Sequence, residues 1–198
     1  QLLKLGIYLT WGELVLLIPF FATLVAGLLY ATVSLSVAGT GRVARFALIA
    51  SLLLAQRNSL VSFLLGMPVD RTMFYHKLAG RLTGVTGLMH TAAFFFDPKF
   101  REANSDLLLS GAFSGRVNVS GSVMSILLFG IAVSSSSSIR RKFHEAFLFL
   151  HQFFVVGMVV GAFFHSGKLV PVLAGLTWGV DCFIRKIIMA QLLNPKKA

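Results

Sequence analysis

One cysteine, Cys182, stands in 198 residues, so no disulfide can close within the chain. Neither a CxxC motif nor a Cys/His cluster exists to hold zinc or to run thiol redox chemistry. Acidic residues are also scarce: seven Asp and Glu against eighteen Lys and Arg, a net charge of +11. Charged side chains make up 13% of the chain and hydrophobic ones 56%, with a mean hydropathy of +0.82. That poverty of charge excludes an ordinary soluble domain. It also leaves no nucleic-acid surface, because the basic residues sit in short stretches between apolar runs and not along one aqueous face. No internal repeat of solenoid type is present.

What is there is apolar length. About 20 apolar residues cross roughly 30 Å of hydrocarbon, and six runs reach that length, at about 12–38, 42–66, 73–96, 115–138, 143–166 and 170–192. The expected architecture is therefore an all-α membrane protein, a six-transmembrane-helix bundle forming one domain over 1–198. The first run is too long for the core of a signal peptide, and no basic leader or initiator Met precedes it. Gln1 reads as the start of a fragment or of a processed chain.

With the N-terminus in the cytoplasm, twelve basic residues fall on the inner side: Lys4, Arg57, Arg71, Lys77, Arg81, Arg140, Arg141, Lys142, Arg185, Lys186, Lys196 and Lys197. Six fall outside: Arg42, Arg45, Lys99, Arg101, Arg116 and Lys168. The positive-inside bias then puts both termini in the cytoplasm. The plasma membrane is the expected location, with an organelle membrane as the alternative. The five serines Ser134 to Ser138 read as a polar helix end whose hydroxyls bond back to helix carbonyls. Arg140, Arg141 and Lys142 after them suit anionic headgroups or a cytosolic partner.

Imidazoles are costly in such surroundings unless something inside the protein receives their nitrogens. Four of the five histidines form two matched pairs: His76 and His90 in the third run, His151 and His165 in the fifth, each pair fourteen residues apart. Fourteen residues are about 3.9 helical turns, so each pair shares a face at about 21 Å separation. If the third and fifth helices pack side by side and co-directional, His76 meets His151 at one level and His90 meets His165 at the other. Two histidines are too few for zinc, which takes four ligands, whereas haem brings its own four nitrogens. The face through His76, Gly80, Thr83, Gly87 and His90 is small between its imidazoles, as a flat macrocycle requires. Alternatively, Gly80 and Gly84 form a GxxxG spacing that serves close helix packing, with the histidines bonded across helices. His144, two turns before His151, is expected at the inner interface and not as a ligand. Met158, seven residues from both His151 and His165, lies midway between the levels with Thr83 as its counterpart, an inter-haem candidate or a packing residue.

Beyond the histidines, "RNSLVSFLLG", "FYHKLAGRLTGVTGLMH", "SSSIRRKFHEAFLFLH" and "LTWGVDCFIR" resemble, over about 150 residues, the ferric reductase and NADPH oxidase transmembrane superfamily. The resemblance implies two stacked b-type haems, the inner on His76 and His151 and the outer on His90 and His165. It also implies a cytosolic FAD- and NADPH-binding module after the sixth span. No GxGxxG occurs here, so that module is expected on a missing domain or a partner subunit. Arg57 and Arg81 are candidates to hold inner haem propionates. The activity implied is that of a membrane oxidoreductase of the ferric-chelate or metalloreductase type, passing cytosolic electrons to ferric or cupric ion. The alternatives are a superoxide-generating NADPH oxidase core that reduces O2, or a non-catalytic haem-binding membrane subunit serving a partner dehydrogenase. Oxidase relatives carry a further histidine one turn beyond the outer ligand of the third span. Phe94 stands there, which favours metal reduction. A transporter with a histidine proton relay would require neither equal spacings nor small residues between them.

Overall fold

The computed structural model describes residues 11, 13–34, 36–56, 63, 66–103, 116–166 and 169–188. A π-helical turn, Glu13–Leu17, leads into α1 (Ile18–Ser34). Then follow α2 (Val37–Leu54), α3 (Val69–Phe96), the short α4 (Pro98–Ala103), α5 (Arg116–Ser134), the short α6 (Ser137–Lys142), α7 (His144–Ser166) and α8 (Leu169–Phe183). A second π-helical turn, Ile184–Ile188, continues α8.

By length and composition three of these helices can cross a membrane: Val37–Leu54, Val117–Ser134 and His144–Ser166. Ile18–Ala31 is a shorter apolar helix. Among the described residues, three of the six expected spans overlap a helix that is long and apolar enough by itself. The third expected span is a helix, and a long one at 28 residues, but its histidines, Lys77, Arg81, four threonines and three glycines dilute its hydropathy. Its hydroxyls find acceptors within the helix. Thr83 donates to Ala79 O at 2.9 Å, Thr86 to Leu82 O at 2.8 Å and Thr91 to Gly87 O at 3.0 Å. Such back-bonding lets a hydroxyl stay in an apolar interior without a partner helix.

Two boundaries differ from expectation. Residues 37 and 38 belong to α2 and not to the first span, and 39–41 lie within α2 and not between spans, because the Ser36 hydroxyl accepts the Gly39 N–H at 2.9 Å and starts the helix there. The fourth span stops at Ser134, where Ser134 Oγ donates to Ile131 O at 3.1 Å, and α6 is a separate short helix.

Packing is pairwise. Helix α3 lies chiefly against α2 and α7 chiefly against α5, whereas α3 and α7 are not a closely packed pair. Leu48 and Leu52 of α2, Met158 and Ala162 of α7 and Ala174 of α8 form one buried cluster. Ala50 and Leu54 of α2, Tyr75 and Ala79 of α3, Leu17 and Met67 form another. Across α2 and α8, Gln56 Nε2 donates to Thr177 Oγ1 at 2.7 Å. Large apolar side chains such as Phe129, Phe149, Phe153 and Val160 stay exposed, the arrangement of helices whose outer faces meet lipid.

Among the described residues three carboxylates are buried, those of Glu13, Asp97 and Asp181, the last paired with Arg185 at 3.1 Å. Glu13 is fully inaccessible and accepts Arg71 Nη1 at 3.0 and 3.2 Å, tying the first π-helical turn to the start of α3. At the far end of α3, the Asp97 carboxylate caps two elements at once. It accepts Val37 N–H at 2.9 Å and Lys99 N–H at 3.1 Å.

Candidate functional site

Two pairs of imidazoles face each other across the space between α3 and α7. The rings of His76 and His151 have centroids 6.3 Å apart with planes at 86°, and those of His90 and His165 are 5.8 Å apart at 76°. The order of the contacts makes the two helices co-directional. With metal–imidazole bonds of about 2.0–2.1 Å, two imidazoles on opposite sides of one metal atom have centroids about 6 Å apart. Each level has that spacing.

Every one of the four rings has Nδ1 engaged. His76 Nδ1 meets Ser51 O at 2.9 Å and His165 Nδ1 meets Val117 O at 2.8 Å. A carbonyl only accepts, so both nitrogens carry the proton and Nε2 keeps its lone pair. His90 Nδ1 lies 3.1 Å from Thr40 Oγ1, whose own proton goes to Ser36 O at 2.8 Å, with Val37 O at 3.1 Å. Having spent its proton, that hydroxyl accepts from Nδ1–H. His151 Nδ1 lies 3.1 Å from Ser135 Oγ. Among the described residues no group of three or more His, Cys, Asp or Glu comes together, so each level offers two imidazoles.

Glycines on the partner helices make the outer rings fit. A Cβ at Gly41 of α2 would stand 2.9 Å from His90 Cε1, and one at Gly121 of α5 would stand 3.0 Å from His165 Cε1. The glycines of α3 behave differently. A Cβ at Gly80 or Gly84 would meet nothing within 4 Å, so that GxxxG spacing does not serve close helix packing; Gly87 does, against Leu128. Open space therefore lies along α3 between its histidines.

A cavity of about 340 Å³ extends inward from His90 and His165 to Thr83 and Met158, with Arg42 and Arg45 also in its wall. Met158 is buried at 4% exposure against Leu48, Leu52 and Ala162. The structure thus brings together His76 with His151 and His90 with His165, and puts Met158 and Thr83 in the wall of one cavity. Arg81 is exposed and does not line the cavity. Five residues past His76, it points about 140° around the helix from it. Arg57 lies outside the described residues. His144 is exposed, with its ring 6.1 Å from that of Phe147. Phe94 packs against Phe95 and Phe100, at 5.1 and 5.2 Å between centroids.

Sequence reasoning missed Thr40, Gly41, Ser51, Val117, Gly121 and Ser135, and it counted Arg42 and Arg45 only as outer charge. "AGTGR" held the one available signal, since two glycines around a threonine are unusual in an apolar helix.

Fold and site together define an integral membrane helical bundle that carries partly buried, paired imidazoles at two depths. The chain belongs to the family described as ferric reductase like transmembrane component, an oxidoreductase family, whose match covers residues 40–162. It is also similar to ferric/cupric reductase transmembrane component 2 of Saccharomyces cerevisiae, with 30% identity over 129 residues. That stretch is 64% of this chain and spans 16% of the relative's length.

Proposed function

We propose that this chain is the membrane-spanning electron conduit of a metalloreductase. It holds two b-type haems in a six-span domain covering 1–198, with His76 and His151 on the inner iron and His90 and His165 on the outer. The observation that carries the reading is the facing of the imidazoles in two pairs, with ring centroids 6.3 and 5.8 Å apart, together with Nδ1 hydrogen bonds that leave Nε2 of His76, His90 and His165 with its lone pair. The glycine contacts at Gly41 and Gly121 and the open face at Gly80 and Gly84 suit the same group. Bound haem supplies a one-electron couple that, with imidazole on both faces, exchanges electrons through its edge and not at an open iron site.

The chain's own part is to orient, insulate and steer. Nδ1 partners fix each ring's tautomer and angle, while the exposed phenylalanines keep lipid around the bundle. Arg42 and Arg45 in the cavity wall attract an anionic acceptor, which points to a ferric chelate ahead of a bare cupric ion. Phe94, enclosed by Phe95 and Phe100, puts hydrocarbon where the oxidase reading needs a protonatable ring. Electrons come from a cytosolic flavin- and NADPH-binding domain or subunit. Their outward passage gains about 2.3 kcal/mol per 100 mV of membrane potential.

Purified protein tests this directly. A pyridine haemochrome assay is expected to give two haems b per chain, and ferric citrate is expected to reoxidise the dithionite-reduced protein. A preparation without a Soret band, or with a single haem, overturns the proposal.

A further inference from the structure

The four Nδ1 partners are not of one kind. At each level one imidazole bonds to a backbone carbonyl and the other chiefly to a side-chain hydroxyl: Ser51 O and Ser135 Oγ at the inner level, Val117 O and Thr40 Oγ1 at the outer, where the Val37 carbonyl also faces His90. The pattern is crossed between helices. Helix α3 has its carbonyl partner at His76 and its hydroxyl partner at His90, whereas α7 has the hydroxyl at His151 and the carbonyl at His165. A carbonyl's place is set by the helix that contains it. A hydroxyl is set by one residue's identity.

We propose that Thr40 and Ser135 are positioning residues that set the reduction potentials of the outer and inner levels, each through a single imidazole. This rests on the two-haem reading. An acceptor on Nδ1–H gives the ring imidazolate character and makes Nε2 a stronger donor, which stabilises ferric over ferrous iron and lowers the potential. One electron enters and one leaves at each level, and the Nδ1 proton stays on its nitrogen throughout.

The two hydroxyls are unequal. Thr40 donates to Ser36 O and is polarised by doing so, which strengthens it as an acceptor. The Ser135 hydroxyl has His151 as its partner and donates to no described carbonyl; it accepts from Nδ1–H when His151 Nε2 is committed to iron, with nothing to polarise it. Thr40 therefore carries the larger effect. Ser135 belongs to the serine run that composition alone marks as a polar helix end. Its neighbour Ser134 fits that description, bonding back to Ile131 O, while Ser135 turns to the histidine.

The test is potentiometric titration of the full-length haem-loaded protein, with the low-field ferric EPR signal of each haem as a second readout. Thr40→Val is expected to raise the outer midpoint by about tenfold in the ferrous-to-ferric ratio, 59 mV for one electron. The inner midpoint is expected to stay in place. Ser135→Ala is expected to raise the inner midpoint by less and to spare the outer. Thr40→Ser and Ser135→Thr keep an acceptor and are expected to hold the original values. If Thr40→Val does not load, Thr40→Cys, a weaker acceptor, must still lie above Thr40→Ser at the outer level. Unchanged potentials in loaded variants, or a shift at the other level, overturn the assignment. Failure of the original protein to bind haem would instead overturn the parent reading before any midpoint is measured.

Discussion

Gly121 lies against His165 so closely that a methyl group on its Cα would stand 3.0 Å from the imidazole Cε1 and 3.2 Å from Nδ1. Gly41 stands in the same relation to His90, at 2.9 and 3.3 Å. The outer rings are thus each backed by a bare Cα on a neighbouring helix. Gly41→Ala or Gly121→Ala should displace the ring at an overpacking cost of about 1–3 kcal/mol. The expected result is loss or spectral change of the outer haem with the inner one retained. Unchanged spectra in both variants would show that the rings have slack.

Ligand substitutions separate the levels. His76→Ala or His151→Ala should remove the inner haem, and His90→Ala or His165→Ala the outer, each halving the haem content. His144→Ala, at an exposed position, should keep both. Loss of a haem on His144→Ala would mean that the pairing of levels is wrong.

Met158→Ala removes a side chain buried against Leu48, Leu52, Ala162 and Ala174. The cavity it leaves should cost about 2 kcal/mol or more. Because Met158 and Thr83 occupy the wall between the levels, the variant should keep both haems and slow reduction of the outer one, followed by stopped flow. Unaltered transfer in a fully loaded variant reduces Met158 to packing.

Glu13→Gln leaves Arg71 without its carboxylate in a place where Glu13 is wholly inaccessible. Breaking a buried pair costs about 3–5 kcal/mol, and the partial exposure of Arg71 puts the expectation at the lower figure. Thermal unfolding in detergent reads it. A variant as stable as the parent would mean that water replaces the guanidinium's partner.

Asp97 carries a pH dependence. The Val37 N–H holds its carboxyl below the ordinary 3.8, against the opposing effect of burial, with the Phe100 and Lys99 N–H groups and the Lys99 charge adding to it. A depressed folded-state value means that the contribution is present above the unfolded carboxyl value and is lost as pH falls through the depressed one. Stability should drop on acidification below about pH 4, and Asp97→Asn should flatten that part of the profile. An equally steep drop in the variant would move the effect to another carboxylate.

The matched spacings of fourteen were legible because a helix converts sequence separation into a shared face, and two helices with equal separations can meet twice. Helix existence was legible too, and the segment at 73–96 lies within one 28-residue helix although its mean hydropathy is low. Hydropathy averages over a helix and cannot distinguish threonines that bond to their own backbone from threonines that face water. The carbonyls of Ser51 and Val117 were beyond reach because every residue has a carbonyl, and only packing selects which one meets a ring. The α2 start at Val37 was readable in principle from Ser36 and was hidden because Thr32, Ser34 and Ser36 offer several similar cap residues in one uncharged stretch. Arg42 and Arg45 read as outer-side charge at the mouth of the second span because its start was placed five residues late.

Since α3 leans on α2, α7 leans on α5, and the two histidine helices are not themselves closely packed, what ties the imidazole pairs also ties the halves of the bundle. A ligand that binds the folded form alone adds its binding free energy to stability, so on the two-haem proposal cofactor supply becomes a checkpoint on biogenesis. In cells starved of haem, pulse-chase labelling should show faster turnover of the chain than in replete cells, even with every apolar residue of the bundle intact.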